Sequence, residues 1–110
     1  MGNNQAAIVL EFSSYEVARV FNNPFETGVS ALRLARLFEK KDGLMALKWR
    51  LRAKNHLEGT PYRQDYIYLL QDLAKDYRRL GLDEKGYEMY EAAFNESLDY
   101  KFPNNDLHVK

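Results

Sequence analysis

The stretch LLQDLAKDYRRLGLDEKGYEMYEAA, Leu69–Ala93, decides the fold. Tyr62, Tyr66, Leu69, Leu73, Tyr77 and Leu80 recur at threes and fours from just before it through its first half, the spacing that lines one face of an α-helix. Gly81 then supplies the left-handed residue that closes such a helix. Asp83 reads as the N-cap of another, which holds Met89, Tyr90, Ala93, Phe94 and Leu98 and ends before Pro103. The stretch is therefore a helical hairpin. Upstream, ALRLARLFEKKDGLMALKWRLRA (Ala31–Ala53) repeats it. Leu34, Ala35 and Phe38 match Leu73, Ala74 and Tyr77 at an offset of 39 residues, and Ala46 and Ala53 match Gly86 and Ala93 at an offset of 40. Self-similarity at this period, built as helix–turn–helix, marks a helical repeat.

These residues resemble the tetratricopeptide repeat. The resemblance implies that large residues of each first helix (Leu70, Leu73, Tyr77) pack on small ones of the second (Gly86, Ala93), with Tyr90 between them. The second block fits without a gap. The first is one residue short at its turn, Lys41-Asp42-Gly43, and carries Arg50 where the family prefers an aromatic. The link around NHLEGTP is longer than a 34-residue repeat allows, and the two blocks cover less than half of the chain.

The remainder completes an all-α reading of about five helices in one domain, residues 1–110. Hairpin one spans 25–58 and hairpin two 60–102, with an N-terminal capping helix before them and frayed or flexible ends at 1–5 and 104–110. AAIVLEF (6–12) is too short to distinguish strand from helix. Ser13 and Glu16 form a capping box that predicts a helix start. That helix stops at Asn22-Asn23, before Pro24. Asp42 predicts the N-cap of a helix ending near Glu58-Gly59, with Trp49 in the core. Thr60-Pro61 predicts the start of the next, Thr as N-cap and Pro in the first turn.

Composition limits function. The chain has 16 basic and 16 acidic residues and no cysteine. There is then no disulfide framework, thiolate nucleophile or cysteine zinc site, which fits a reducing, cytoplasmic setting. No signal peptide is visible and no apolar run is long enough for a membrane span. Charge is uneven: Arg33–Lys54 holds eight bases against two acids, and Asp83–Asp106 seven acids against two bases. No phosphate loop, metal cluster or cofactor motif stands out. His56 and His108 have no ligand companions; His56 reads as a charged cap at a helix C-terminus. Asp72 and Asp76 are four apart, but Lys75, Arg78 and Arg79 among them point to surface ion pairs.

The expected function is a non-enzymatic adaptor, scaffold or chaperone-like binder. In the tetratricopeptide family ligands lie along the concave face made by the first helices. By resemblance that face holds Val29, Arg33, Arg36 and Lys40 from one hairpin, and Tyr68, Gln71, Lys75, Arg78 and Arg79 from the other. This basic set implies an acidic peptide or protein as partner. Leu32 and Asp72 depart from the family's carboxylate-clamp subset. Two repeats are few, so a homodimer or other self-association is the alternative, with 6–12 either docked on the second helix or buried between copies. Nucleic acid is disfavoured by the zero net charge and by NNPFETG, too long for a helix-turn-helix connection.

Overall fold

The structure, a computed structural model, describes residues 2–100, with side chains from Asn4 onward. The expected flexible tail at 104–110 and the tail histidine, His108, lie outside the described residues. Five helices follow one another: α1 Gly2–Val20, α2 Pro24–Phe38, α3 Gly43–Leu57, α4 Arg63–Arg79 and α5 Asp83–Asp99. The fold is all-α. Backbone packing joins α1 to α2, α2 to α3, α3 to α4 and α4 to α5, and no other pair of described helices. The result is a linear array, 47 × 35 × 25 Å.

Local chemistry sets most boundaries. Asn22 adopts φ 55° and the Asn23 N–H donates to Ala18 O at 3.0 Å, a left-handed closure of α1. Asn23 then caps α2, its Oδ1 accepting from the Glu26 N–H at 3.1 Å, and Pro24 occupies the first turn. Asp42 caps α3 as its sequence predicts, accepting from the Met45 N–H at 3.0 Å. Gly81, at φ 80°, lets the Leu82 N–H reach back to Tyr77 O at 2.8 Å and ends α4.

Helix α1 begins at Gly2, and 6–12, which the sequence leaves open between strand and helix, is helix. Three expectations are corrected. Ser13 does not start a helix: it lies inside α1, whose long apolar and polar run continues through the capping-box pattern. Thr60 closes the turn between the helices, its hydroxyl donating to Leu57 O at 2.6 Å and accepting from the Tyr62 N–H at 3.3 Å, and α4 starts later, at Arg63. Leu82, not Asp83, is the cap position of α5; Asp83 sits in the first turn, where its charge still suits the helix dipole.

The core runs through the middle of the array. Ala31, Leu34 and Ala35 of α2 meet Ala46, Ala53 and Leu57 of α3, all completely buried, and the alanines allow the two helices to approach closely. Gly28 serves the same contact: a Cβ there would lie 2.7 Å from Leu57 Cγ. On α4, Leu73 and Ala74 are completely buried, and Tyr66, Ile67, Leu69 and Leu70 join them, so α4 packs on both its neighbours. Gly86 and Ala93 are the fully buried residues of α5. Phe94 and Leu98, further along the helix, are exposed because no further described helix covers that side.

Ala93→Leu pushes a larger side chain into the α4–α5 contact and lowers stability by about 1–3 kcal/mol in urea unfolding. Gly86→Ala is no neutral companion to it. Helix propensity favours alanine, but its Cβ would meet Ala74 O at 3.1 Å and Arg78 Cγ at 2.7 Å. The Arg78 side chain can move aside; the carbonyl can do so only by shifting the helix.

Candidate partner-binding face

The first helices of the two hairpins run side by side in the same direction. At their starts the Phe25 and Tyr62 rings meet at 4.5 Å. At their ends Arg79 Nη1 lies 3.6 Å from Glu39 Oε2. The two hairpin turns are neighbours, the Leu80 side chain approaching Gly43. This brings the C-terminal ends of α2 and α4, with their bases, to one edge of the array.

The sequence-predicted residues divide between several places. Arg36, Lys40, Tyr68, Gln71, Lys75, Arg78, Arg79 and Arg33 are all exposed. Lys75, Arg78 and Arg79 share a shallow depression with Asp83 and Tyr90 between α4 and α5. Arg33 points elsewhere: it lies 3.5 Å from Glu11 of α1 and lines the α1–α2 groove. Arg79 is committed to Asp76 at 3.1 Å as well as to Glu39. Gln64 links two tyrosines, donating to the Tyr68 hydroxyl at 3.5 Å and accepting from Tyr100 at 3.3 Å. Arg36, Lys40, Lys75 and Arg78 have no carboxylate within 4.0 Å among the described residues.

Beneath this edge lies a polar cluster. Asp76 and Arg50 are 3% and 5% exposed, and Arg50 Nη1 donates to both carboxylate oxygens of Asp76, at 2.7 and 2.8 Å. Arg50 Nη2 donates to Glu39 at 3.2 Å. The expected ion pair of Asp76 with a base of its own helix is present, to Arg79, and a buried pair to Arg50 adds to it, tying α3 of one hairpin to α4 of the other. Burial opposes the Arg50 charge, but the hydrogen bond and charge of Asp76, with Glu39 and Asp72, more than restore it and raise its pKa. Burial also raises the Asp76 carboxyl from its ordinary value, against the pull of Arg50 and Arg79. Beside a guanidinium that stays charged, we read Asp76 as ionised at neutral pH. A signal for this pair is present in the chain: Arg50 falls on the buried row Ala46, Ala53 and Leu57, and Asp76 follows Leu69 and Leu73 on the packing face of α4.

A second cluster pins α1 to the array. Trp49 is 5% exposed, as its core assignment expects. It meets Tyr15 edge-on at 5.0 Å and Phe12 at 6.0 Å, with the Arg52 guanidinium 4.4 Å from its ring. The Tyr15 hydroxyl is 2.9 Å from His56 Nε2. His56 is not the charged cap its position suggests: burial, then the nearby Arg19 charge, lowers its pKa from 6.5. The unfolded chain therefore takes up the proton first. The stability from neutral His56 is complete above pH 6.5 and falls as pH drops through that value toward the lower folded pKa. Urea midpoints compared between about pH 7.5 and 5.5 fall further for the wild type than for His56→Asn.

Among the described residues, no group of His, Cys, Asp or Glu is placed to hold a metal ion, and no helix is long and apolar enough to cross a membrane. Comparison of the chain with protein-family models, curated proteins and solved structures finds no match.

Proposed function

We propose that the chain is a non-enzymatic, cytoplasmic interaction module of tetratricopeptide type. It holds an acidic peptide or protein on the exposed faces of α2 and α4. The observation that carries this reading is the set Arg36, Lys40, Lys75 and Arg78: four exposed cations with no carboxylate partner within 4.0 Å among the described residues. A chain with 16 acids has carboxylates enough to pair them locally. An anionic partner uses what is left unpaired, through charge-assisted hydrogen bonds. Repeat-like helix pairs with small residues at Ala46, Ala53, Gly86 and Ala93 support the family reading.

Titration with a fluorescein-labelled poly-glutamate peptide tests it. Arg36→Glu with Lys75→Glu weakens binding about tenfold or more, since hydrogen bonds to charged groups contribute about 1.5–3 kcal/mol each. Stability changes by about 0.5 kcal/mol or less, as expected for surface positions. Arg79 is the poorer site for this test, because its reversal also disturbs Asp76. Unchanged peptide binding in the double variant refutes the assignment. Tighter, steeply salt-dependent binding to duplex DNA would turn the reading toward nucleic acid.

A further inference from the structure

The two outer helices of the array leave apolar stripes of identical spacing in solvent. On α1 these are Leu10, Val17 and Phe21, 56–77% exposed; on α5 they are Tyr87, Phe94 and Leu98, 62–73% exposed. Each stripe occupies positions i, i+7 and i+11 and is about 16 Å long. The α1 stripe forms the wall of a groove of about 700 Å³, whose other wall is α2, with Asn23, Glu26, Ser30 and Arg33. The array is also electrically asymmetric. Residues 2–57 carry nine bases and five acids, and residues 58–100 ten acids and five bases.

We propose that the α1–α2 groove receives α5 of a second copy, so that molecules associate head to tail. Charge selects this occupant. An α5–α5 contact would bring together two helices that each carry six acids and one base. An α5–groove contact instead sets the acidic helix on α1 and α2, where three bases (Arg19, Arg33, Arg36) balance three acids (Glu11, Glu16, Glu26), with Arg33 in the groove itself. It also fixes direction. Glu11 and Arg33 are paired, so Arg33 lies beside the middle of α1, and Glu26 lies toward its C-terminal end. With α5 parallel to α1, Glu88 and Glu91 fall near Arg33 and Ser30. The antiparallel orientation would place Glu91 against Glu26. Phe94 and Leu98 then cover Val17 and Phe21, removing both stripes from water. The contact is heterologous, so it repeats from copy to copy into rings or open chains.

Complementation of two variants of the full chain tests this by sedimentation velocity at low salt. The head variant is Val17→Glu with Phe21→Glu, and the tail variant is Phe94→Glu with Leu98→Glu. All four positions are exposed, and far-UV circular dichroism checks that both variants keep their helices. The wild type grows beyond dimer with concentration, and added salt reverses the growth. Each variant alone associates about tenfold or more weakly, the scale of losing a central anchor. Their equimolar mixture forms a one-to-one heterodimer through the intact groove of one and the intact α5 of the other, and stops there. A wild type that stays monomeric overturns the proposal, whether or not another part of the chain covers the groove. A tail variant that still dimerises while the head variant does not overturns it in favour of a two-fold α1 contact. Variants that do not associate when mixed also refute it.

Discussion

Replacing Asp76 with alanine is expected to lower the unfolding free energy by about 3–5 kcal/mol, the scale for stranding one charge of a buried pair. The guanidinium of Arg50 is 5% exposed and loses both of its 2.7–2.8 Å contacts, leaving Glu39 at 3.2 Å as its remaining acceptor. Arg79 loses its 3.1 Å contact as well. Asp76→Asn, which keeps the shape and one acceptor, costs less. The pairwise change Arg50→Met with Asp76→Leu recovers most of the loss, because two apolar side chains of similar volume need no compensation there. Urea unfolding followed by circular dichroism measures all four proteins. A full loss in the double variant would mean that the pair supplies net stability rather than mutual neutralisation.

Trp49→Ala is the second large effect, about 3–5 kcal/mol for removing a buried indole. It acts mainly at one place. Trp49 holds Tyr15 and Phe12 of α1, with ring centroids 5.0 and 6.0 Å away, and Arg52 covers its face at 4.4 Å. Its loss should therefore release α1 while α4 and α5 stay packed. Hydrogen exchange reads this directly: amides of α1 lose protection first, and those of α4 lose only the amount set by global stability. Trp49→Phe keeps an aromatic contact and gives a smaller change. Equal loss of protection in α1 and α5 would show that the array unfolds as a single unit.

The helix pairs were legible because their signals are local. Asp42, Gly81 and Pro24 act through their own backbone neighbourhood, and the residues at threes and fours on α4 lie on one element. The length of α1 was not legible. The Ser13–Glu16 pattern has the form of a helix start, and only the backbone continuing on both sides denies it that role. Thr60 misleads for a related reason, since a hydroxyl between two helices can serve both, and here it donates backward to Leu57 and accepts from the Tyr62 N–H one residue before α4. The buried contact between Arg50 and Asp76 depends on how α3 lies on α4, a tertiary fact joining positions 26 residues apart. The family resemblance assigns cations such as Arg36 and Lys75 to a binding face, and in the structure both are exposed. Arg33 could be read as facing the groove only once α1 was known to run beside it.

Nearest-neighbour packing has a consequence for how such an array grows or shrinks. A helix in a globular bundle touches many others and cannot be removed without leaving a hole. Here each described helix rests its backbone on those before and after it in the chain. Gain or loss of a whole hairpin disturbs few backbone junctions, together with the side-chain contacts that skip a helix, such as Trp49 with Phe12 and Tyr15. The junction of α3 with α4 is not interchangeable with any surface, however: it demands an aspartate opposite an arginine. A duplicated hairpin inserted there fits only if its second helix again carries the arginine and its first helix the aspartate. A unit lacking either leaves a buried charge alone, and the lineage that acquired it would fold poorly until the missing partner arose.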